Sequence, residues 1–201
     1  MVRVHKDYRF EGPDGVVGLV DVFDGRRQLY VHHFMWRDES DTGCPSCTRA
    51  ADRAFNDAHL AALRERDVAF AAIARAPWAK VEALRDQHGC TFPFFSSHGS
   101  DFNYDFHVTL DEYRLPIEYN YRTKAELLEV GIPAEYLTGD WPGASVFLRD
   151  GDTVFHTYSA YARGLDGLVM PYQFLDLTVY GRQEAWEDPP DGWPQAITSG
   201  P

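Results

Sequence analysis

The chain has 201 residues, 44% of them hydrophobic and 14% aromatic, enough to bury a sizeable core at the upper end for one domain. Its formal charge of -12 excludes a nucleic-acid or anionic-membrane surface, because both need clustered Lys and Arg. No segment approaches the roughly 18 consecutive apolar residues of a membrane span, and Met1 to Asp7 lack the apolar run of a signal peptide, so the chain reads as cytoplasmic.

In chain order, Asp14-Gly15 marks a turn and Val16-Val17-Gly18-Leu19 a short strand, so the chain opens on a hairpin. Leu29 to Trp36 has strand character and leads to Cys44-Pro45-Ser46-Cys47. An amphipathic stretch starts at Thr48; Ala51, Ala54, Phe55, Ala58 and Ala62 follow helical spacing, with Arg49, Asp52, Arg53 and Asp57 on the other face. Val68 to Ala74 suits a strand buried on both faces, and Ala79 to His88 a helix stopped by Gly89. The alternation then loosens until Thr123 and Glu126 form a capping box, with Gly131 and Pro133 ending the helix they open. Val146-Phe147-Leu148 and Val154-Phe155-His156, joined through Asp150-Gly151-Asp152, read as a second hairpin, followed by a helical tail.

This order is that of an α/β, thioredoxin-like three-layer sandwich with a mixed central sheet, an N-terminal β-hairpin and an insertion before the C-terminal hairpin. Residues 1–201 are expected to form one domain, with the insertion at about 96–140 and an irregular tail at about 182–201. Strands 29–36 and 68–74 should be adjacent and parallel, joined by a right-handed crossover through the helix that starts at the cysteines.

Three cysteines in such a chain do not make a secreted disulfide framework, and a Cys-x-x-Cys in a reducing compartment is catalytic or metal-binding rather than structural. At a helix start, the free N–H groups and the partial positive charge stabilise the first thiolate, and Pro45 fits the first turn. Cys44 would then be the nucleophile and Cys47 the resolving thiol. No Lys or Arg lies within the motif to lower the thiol further. A zinc site is the competing reading, but it wants four ligands, and only Cys90 and dispersed histidines are available.

Tyr8-Arg9-Phe10-Glu11-Gly12, Gly25-Arg26-Arg27-Gln28-Leu29, His33-Phe34-Met35, Gly43-Cys44-Pro45-Ser46-Cys47, Phe92-Pro93, Ser100 to Phe106 and His156-Thr157-Tyr158-Ser159, with Leu175 to Thr178 and Gly181 to Glu184 at the end, resemble one family. It is domain-of-unknown-function family 899, described as a predicted dithiol-disulfide oxidoreductase with a thioredoxin-like fold. The chain departs from ordinary thioredoxins in two places. Gly43 stands where they have Trp before the first cysteine, Trp36 lying seven residues earlier, and the longer lead-in is like that of the peroxiredoxin-related branch. Their cis-proline before the hairpin falls near Ala144 here, with Pro142 two residues too early. The resemblance therefore implies catalytic Cys44 and Cys47, with Trp36, Pro45, Ser46, Ala144 and Ser145 lining the approach of substrate.

Other residues attract a functional reading. Asp101, Asn103 and Asp105, with Thr109 and Glu112, match alternate EF-hand ligand positions, but Phe106 occupies the place that needs Gly. The segment is better read as a loop beside the dithiol, its turns held by Asp101 and Asn103. His32 and His33 point to opposite faces of a strand, the simple reading being one packed and one exposed. His107 and His156 are proton shuttles near the site or half-buried strand residues, and Cys90 is a small core hydrophobe. The tyrosines at 119, 121, 158 and 161 form core and rim, or a hydrophobic substrate groove.

The reading is thiol-disulfide exchange without a cofactor, on a disulfide-bearing protein or a small-molecule thiol, with a homodimer left open. The alternative is a non-catalytic module on the same fold that holds a small ligand or metal.

Overall fold

A computed structural model describes residues 1–37 and 39–168. The motifs at 175–178 and 181–184, the helical tail and the irregular tail at about 182–201 lie outside the described residues.

The chain runs through β1 (Val2–Arg3), β2 (Arg9–Gly12), β3 (Gly15–Gly18), α1 (Leu19–Val22) and β4 (Gln28–Phe34). It continues through α2 (Pro45–Ala54), α3 (Asp57–Arg64), β5 (Val68–Ala74), α4 (Trp78–His88) and β6 (Phe94–Ser96). Then come α5 (Phe102–Asp105), β7 (Thr109–Leu110), β8 (Glu118–Tyr119), β9 (Arg122–Thr123), α6 (Lys124–Glu129), β10 (Gly139–Asp140), β11 (Gly143–Asp150) and β12 (Thr153–Tyr161). Among the described residues eight strands form one sheet in the order β1-β12-β11-β4-β5-β6-β2-β3.

The sheet is mixed. β4 pairs in parallel with β5, from Gln28 opposite Val68 to Phe34 opposite Ala74, and antiparallel with β11 on its other edge. The expected parallel neighbours and both hairpins are therefore present, β2 with β3 and β11 with β12. Gly151, at φ +55, supplies the left-handed residue that the second hairpin turn requires. The fold is thioredoxin-like, with helices on both sides of the sheet.

Side-chain alternation divides the core. Leu29, Val31, Ala69, Ala71 and Ile73 face a cluster with Phe10, Phe102, Phe106 and Phe147. Phe34, Phe70, Ala72 and Ala74 face the opposite cluster, built with Cys47 and Ala51 of α2, Leu60 of α3 and Val81 and Leu84 of α4. Small alanines on β5 let the helices lie close to the sheet. A third cluster, with Val108, Leu110, Ile117, Tyr119, Leu127, Leu137 and Tyr161, packs the chain between β6 and β11. Within it Thr123 and Glu126 make the expected capping box on α6. Gly89 ends α4 in the left-handed conformation, also as expected.

Three sequence expectations are corrected. The stretch after the cysteines is two helices, because Asn56 caps a new one by accepting the His59 backbone N–H at 3.1 Å. Ala58 and Ala62 are accordingly exposed, and Leu60 is the residue α3 buries. The Asp101 to Phe106 segment does not lie beside the dithiol: Phe102 and Phe106 belong to the cluster on the other face of the sheet. Its turn is held by Ser100, whose Oγ accepts the Phe102 N–H, while Asp101 meets Lys6 and Arg114 and buried Asn103 accepts from the Ser97 hydroxyl. Finally, His32 and His33 are both buried, because β4 is central and covered on both faces. His32 stacks edge-on against Phe34 and Phe55, and His33 lies against Phe102 and Phe106.

Burial lowers the His32 imidazole to about 4 and that of His33 to about 3, the latter also through His32 and His156. The unfolded chain takes up these protons near pH 6.5 while the folded chain does not. Stability is therefore full above that pH and is lost as the pH falls toward the folded values. The Nε2 of His32 has no hydrogen-bond partner among the described residues, so an apolar ring can replace it. We expect His32→Phe to leave stability near neutral pH within about 1.5 kcal/mol of wild type. At about pH 5 the variant should escape about 2 kcal/mol of the acid loss. Urea denaturation at the two pH values measures this, and equal losses in both proteins would clear His32 of the effect.

Candidate active site

At the end of β4 the chain leaves the sheet through Met35 and Trp36 and returns at Cys44, whose backbone N–H donates to the Met35 carbonyl at 3.1 Å. Inside this loop the Trp36 indole N–H donates to the Ser40 carbonyl at 3.0 Å, and Lys80 of α4 reaches the same oxygen at 2.8 Å. Gly43 sits where a Cβ would stand 2.5 Å from the Phe34 ring and 2.8 Å from Leu84, so no side chain fits before the first cysteine. That contact is the physical reason the Trp of ordinary thioredoxins has no place here.

Cys44 is the N-cap of α2, Pro45 occupies the first turn, and Cys47 follows within it. The Thr48 backbone N–H and hydroxyl both donate to the Cys44 carbonyl, at 3.0 and 3.1 Å, and tie the cap to the helix. Cys44 is partly exposed and Cys47 is buried, both as free thiols. Proline at the second position has no N–H to lose, so the next two amides, of Ser46 and Cys47, point toward the cap.

The two thiols are driven in opposite directions. Cys44 is lowered to about 6, first by the hydrogen bond from the Cys47 thiol and then, against burial, by the backbone N–H groups of Cys47 and Ser46 and by Arg49. Arg49 thus supplies the cation that the motif itself lacks, and its guanidinium also donates to the Ser46 hydroxyl at 3.1 Å. Cys47 is pushed up by the bond it donates to Cys44, by burial, and by the negative charges of Cys44 and Asp140.

Asp140 had no part in the sequence reading. It enters from β10, on the far side of the loop, and its carboxylate is buried. One oxygen accepts from Arg75 Nε at 2.9 Å and Thr109 Oγ1 at 2.6 Å; the other accepts the Trp36 backbone N–H at 3.0 Å. Burial raises its pKa against the pull of Arg75 and these hydrogen bonds. The only sequence signal was its place in Gly139-Asp140-Trp141-Pro142, directly before the hairpin.

The residues expected to line the substrate approach separate. Pro45 and Ser46 stay at the exposed cap, but Trp36 is 2% exposed and its ring packs in the core beneath the site. Ala144 and Ser145 are buried within β11, opposite His32 and Val31. Ser145 faces away from the dithiol layer, its hydroxyl 2.8 Å from His33 Nε2. Since β11 starts at Gly143, the residue just before the hairpin is Pro142, not Ala144. Its carbonyl accepts from the Tyr119 hydroxyl at 2.7 Å. His107 and His156 line a cavity that includes neither cysteine, and Cys90 packs, partly buried, against the cluster under the dithiol. Among the described residues no group of three or more His, Cys, Asp or Glu could hold a metal ion.

The charge of Asp140 should be readable in the second thiol. In Asp140→Asn, Cys47 is expected to titrate at a lower pH than in wild type, while the amide still accepts the Trp36 N–H. The buried Arg75 loses its counter-charge, so stability should fall by about 3 kcal/mol. Cysteine Cβ resonances followed against pH measure the first effect, and an unmoved Cys47 in a folded variant would show that the carboxylate does not act on it.

A family model described as a bacterial protein of unknown function (DUF899) matches residues 1–197. No curated protein matches the chain. Among solved structures, the chain is similar to a mutant of PrxQ from Xylella fastidiosa, with 8% identity, a TM-score of 0.51, and coverage of 87% of this chain and 97% of that one. Peroxidoxin BcpB from Mycobacterium tuberculosis has 13% identity, a TM-score of 0.48, and coverage of 84% and 95%. Peroxiredoxin Q from Xanthomonas campestris has 11% identity, a TM-score of 0.46, and coverage of 81% and 87%. At 8% identity the likeness to the Xylella protein is one of fold.

Proposed function

Given that the chain belongs to the DUF899 family of bacterial proteins of unknown function, we propose that it is a thiol-disulfide oxidoreductase acting through Cys44 and Cys47. The observation that carries this reading is the opposed ionisation of the two thiols, one partly exposed and lowered to about 6, the other buried and raised. A structural pair of small hydrophobes has no need of such a split, whereas exchange chemistry uses both halves of it.

In the reductive direction the Cys44 thiolate attacks one sulfur of a substrate disulfide. The substrate S–S bond breaks, its other sulfur leaves as a thiolate and takes a proton from solvent, and a mixed disulfide joins Cys44 to the substrate. The Cys47 thiol then gives up its proton, attacks the Cys44 sulfur and expels the second substrate thiolate. Two electrons have passed to the substrate and Cys44 and Cys47 are joined. The reverse sequence oxidises a dithiol. Once Cys44 is spent in the mixed disulfide, the negative charge that held the Cys47 proton is gone, so its pKa falls when its thiolate is required. The substrate is a disulfide-bearing protein or a small thiol, met at the exposed cap formed by Cys44, Pro45 and Ser46.

Three measurements test the reading. Cys47→Ser should accumulate a mixed disulfide through Cys44, while Cys44→Ser should trap little. Trapping through Cys47 alone would reverse the roles. In a Cys47→Ala background the Cys44 alkylation rate should still rise with pH and level off once the thiolate predominates; that midpoint should lie above the about 6 of the intact pair, because alanine cannot supply the hydrogen bond that Cys47 donates. Failure of the wild-type pair to form a disulfide under mild oxidant, seen by mass spectrometry after alkylation, would remove the proposal altogether.

A further inference from the structure

A cavity of about 230 Å³ opens among β8, β12 and the turn after α5, and Phe106, Tyr119, Tyr121 and Tyr161 line it. Tyr161 meets Tyr119 at 5.5 Å and 69°, and Tyr121 at 5.8 Å and 79°. Phe106, Tyr119 and Tyr161 are buried and Tyr121 is exposed, so the wall of the cavity is aromatic with Tyr121 at its mouth.

The polar lining is negative or neutral. Among the described residues the Glu118 carboxylate makes no hydrogen bond or ion pair, and neither do the side chains of Asn120 and His107. Asp105, by contrast, is already engaged by Lys6 at 2.7 Å and by the Tyr8 hydroxyl at 2.8 Å. Among the described residues no Lys or Arg lines the cavity. Glu118 is exposed and Asn120 and His107 are half-buried, so a free carboxylate and two neutral donors edge the mouth of an aromatic-walled space, the make-up of a small-molecule site.

Two tight turns frame the cavity. Of the six non-glycine residues with positive φ among those described, His107, Asn120 and Tyr121 line this cavity, at φ 55, 51 and 61. Asn120 and Tyr121 are the central pair of the two-residue turn joining β8 to β9, which needs positive φ at both, and His107 closes the end of α5, so these turns fix the rim of the cavity.

We propose that this cavity binds a small organic ammonium ion, its charge set against the tyrosine faces and the Glu118 carboxylate. An anion finds no cationic partner there, and an apolar ligand would leave the polar groups unanswered. A metal ion lacks ligands, since Asp105 is occupied and no ligand cluster forms among the described residues. An ammonium ion draws on both the π faces and the free carboxylate, and the volume suits a molecule of a few heavy atoms. Neither cysteine lines the cavity, so binding should not require the dithiol.

The test is NMR titration of isotopically labelled protein with tetramethylammonium chloride and with putrescine, using sodium acetate as the anionic control. Saturable shifts are expected with at least one of the two cations, centred on residues 118–121 and 156–161, and none with acetate. Glu118→Gln and Tyr121→Ala should each weaken binding about five-fold. Tyr121 is 74% exposed and Glu118 is exposed, so both variants should fold. Cys44→Ser should bind as wild type does, which separates this site from the redox reading. Absence of saturable shifts with both cations, equal shifts with acetate, or affinity unchanged in both variants would overturn the proposal.

Discussion

The parallel pairing of β4 with β5 is the constraint from which the site follows. Parallel neighbours need a crossover long enough to return the chain to the same end of the sheet. Here α2 and α3 make that return, so α2 must start just beyond the end of β4. Its first turn carries both cysteines, and the helix cannot shift without uncovering Phe34, Ala72 and Ala74. The chemistry is thus placed by packing: Cys47 is a core residue of the layer that holds the sheet and helices together.

That placement also explains why the two cysteines differ. Only Pro45 and Ser46 separate the capping cysteine from the buried one; burial raises both thiols, but the hydrogen bond between them lowers Cys44 and raises Cys47, and the amides at the helix start pull Cys44 further down. The asymmetry is strengthened from outside the helix. Arg49 lies on the side of the exposed thiol, whereas Asp140 reaches the buried one from β10. Asp140 is itself anchored by Arg75 at the end of β5, by Thr109 of β7 and by the Trp36 backbone. The chain between β6 and β11 is therefore joined to the site through one carboxylate. A buried ion pair of this kind adds little net stability, but it sets the position of the groups that share it.

The opposite layer of the sheet has its own organisation. Phe102 is fully buried among Tyr8, Phe10, Phe106 and Phe147, and His33 closes this stack from β4. A hydrogen-bonded run from His33 through Ser145 and Ser159 to His156 crosses from the core to the aromatic cavity. The sheet thus presents a thiol site on one side and a tyrosine-lined cavity around β12, with the His32 and His33 strand between the layers.

Much of this was legible because it rests on local rules. A continuous apolar run identified Val68 to Ala74, turn residues located both hairpins, Gly89 and the Thr123/Glu126 box bounded their helices, and Cys-x-x-Cys after a strand marked the start of α2. The break at Asn56 went unread because alanine spacing continued across it and a cap is decided by one side chain against one amide. What only the tertiary structure decided is contact between segments far apart in sequence: both histidines buried on a strand covered from either side, Trp36 drawn beneath the site, the Asp101 loop assigned to the opposite layer, and Asp140 brought to Cys47 from 93 residues away. Local patterning determines which face of an element is apolar, but not which other element covers it, and burial and charge at a site depend on that second fact.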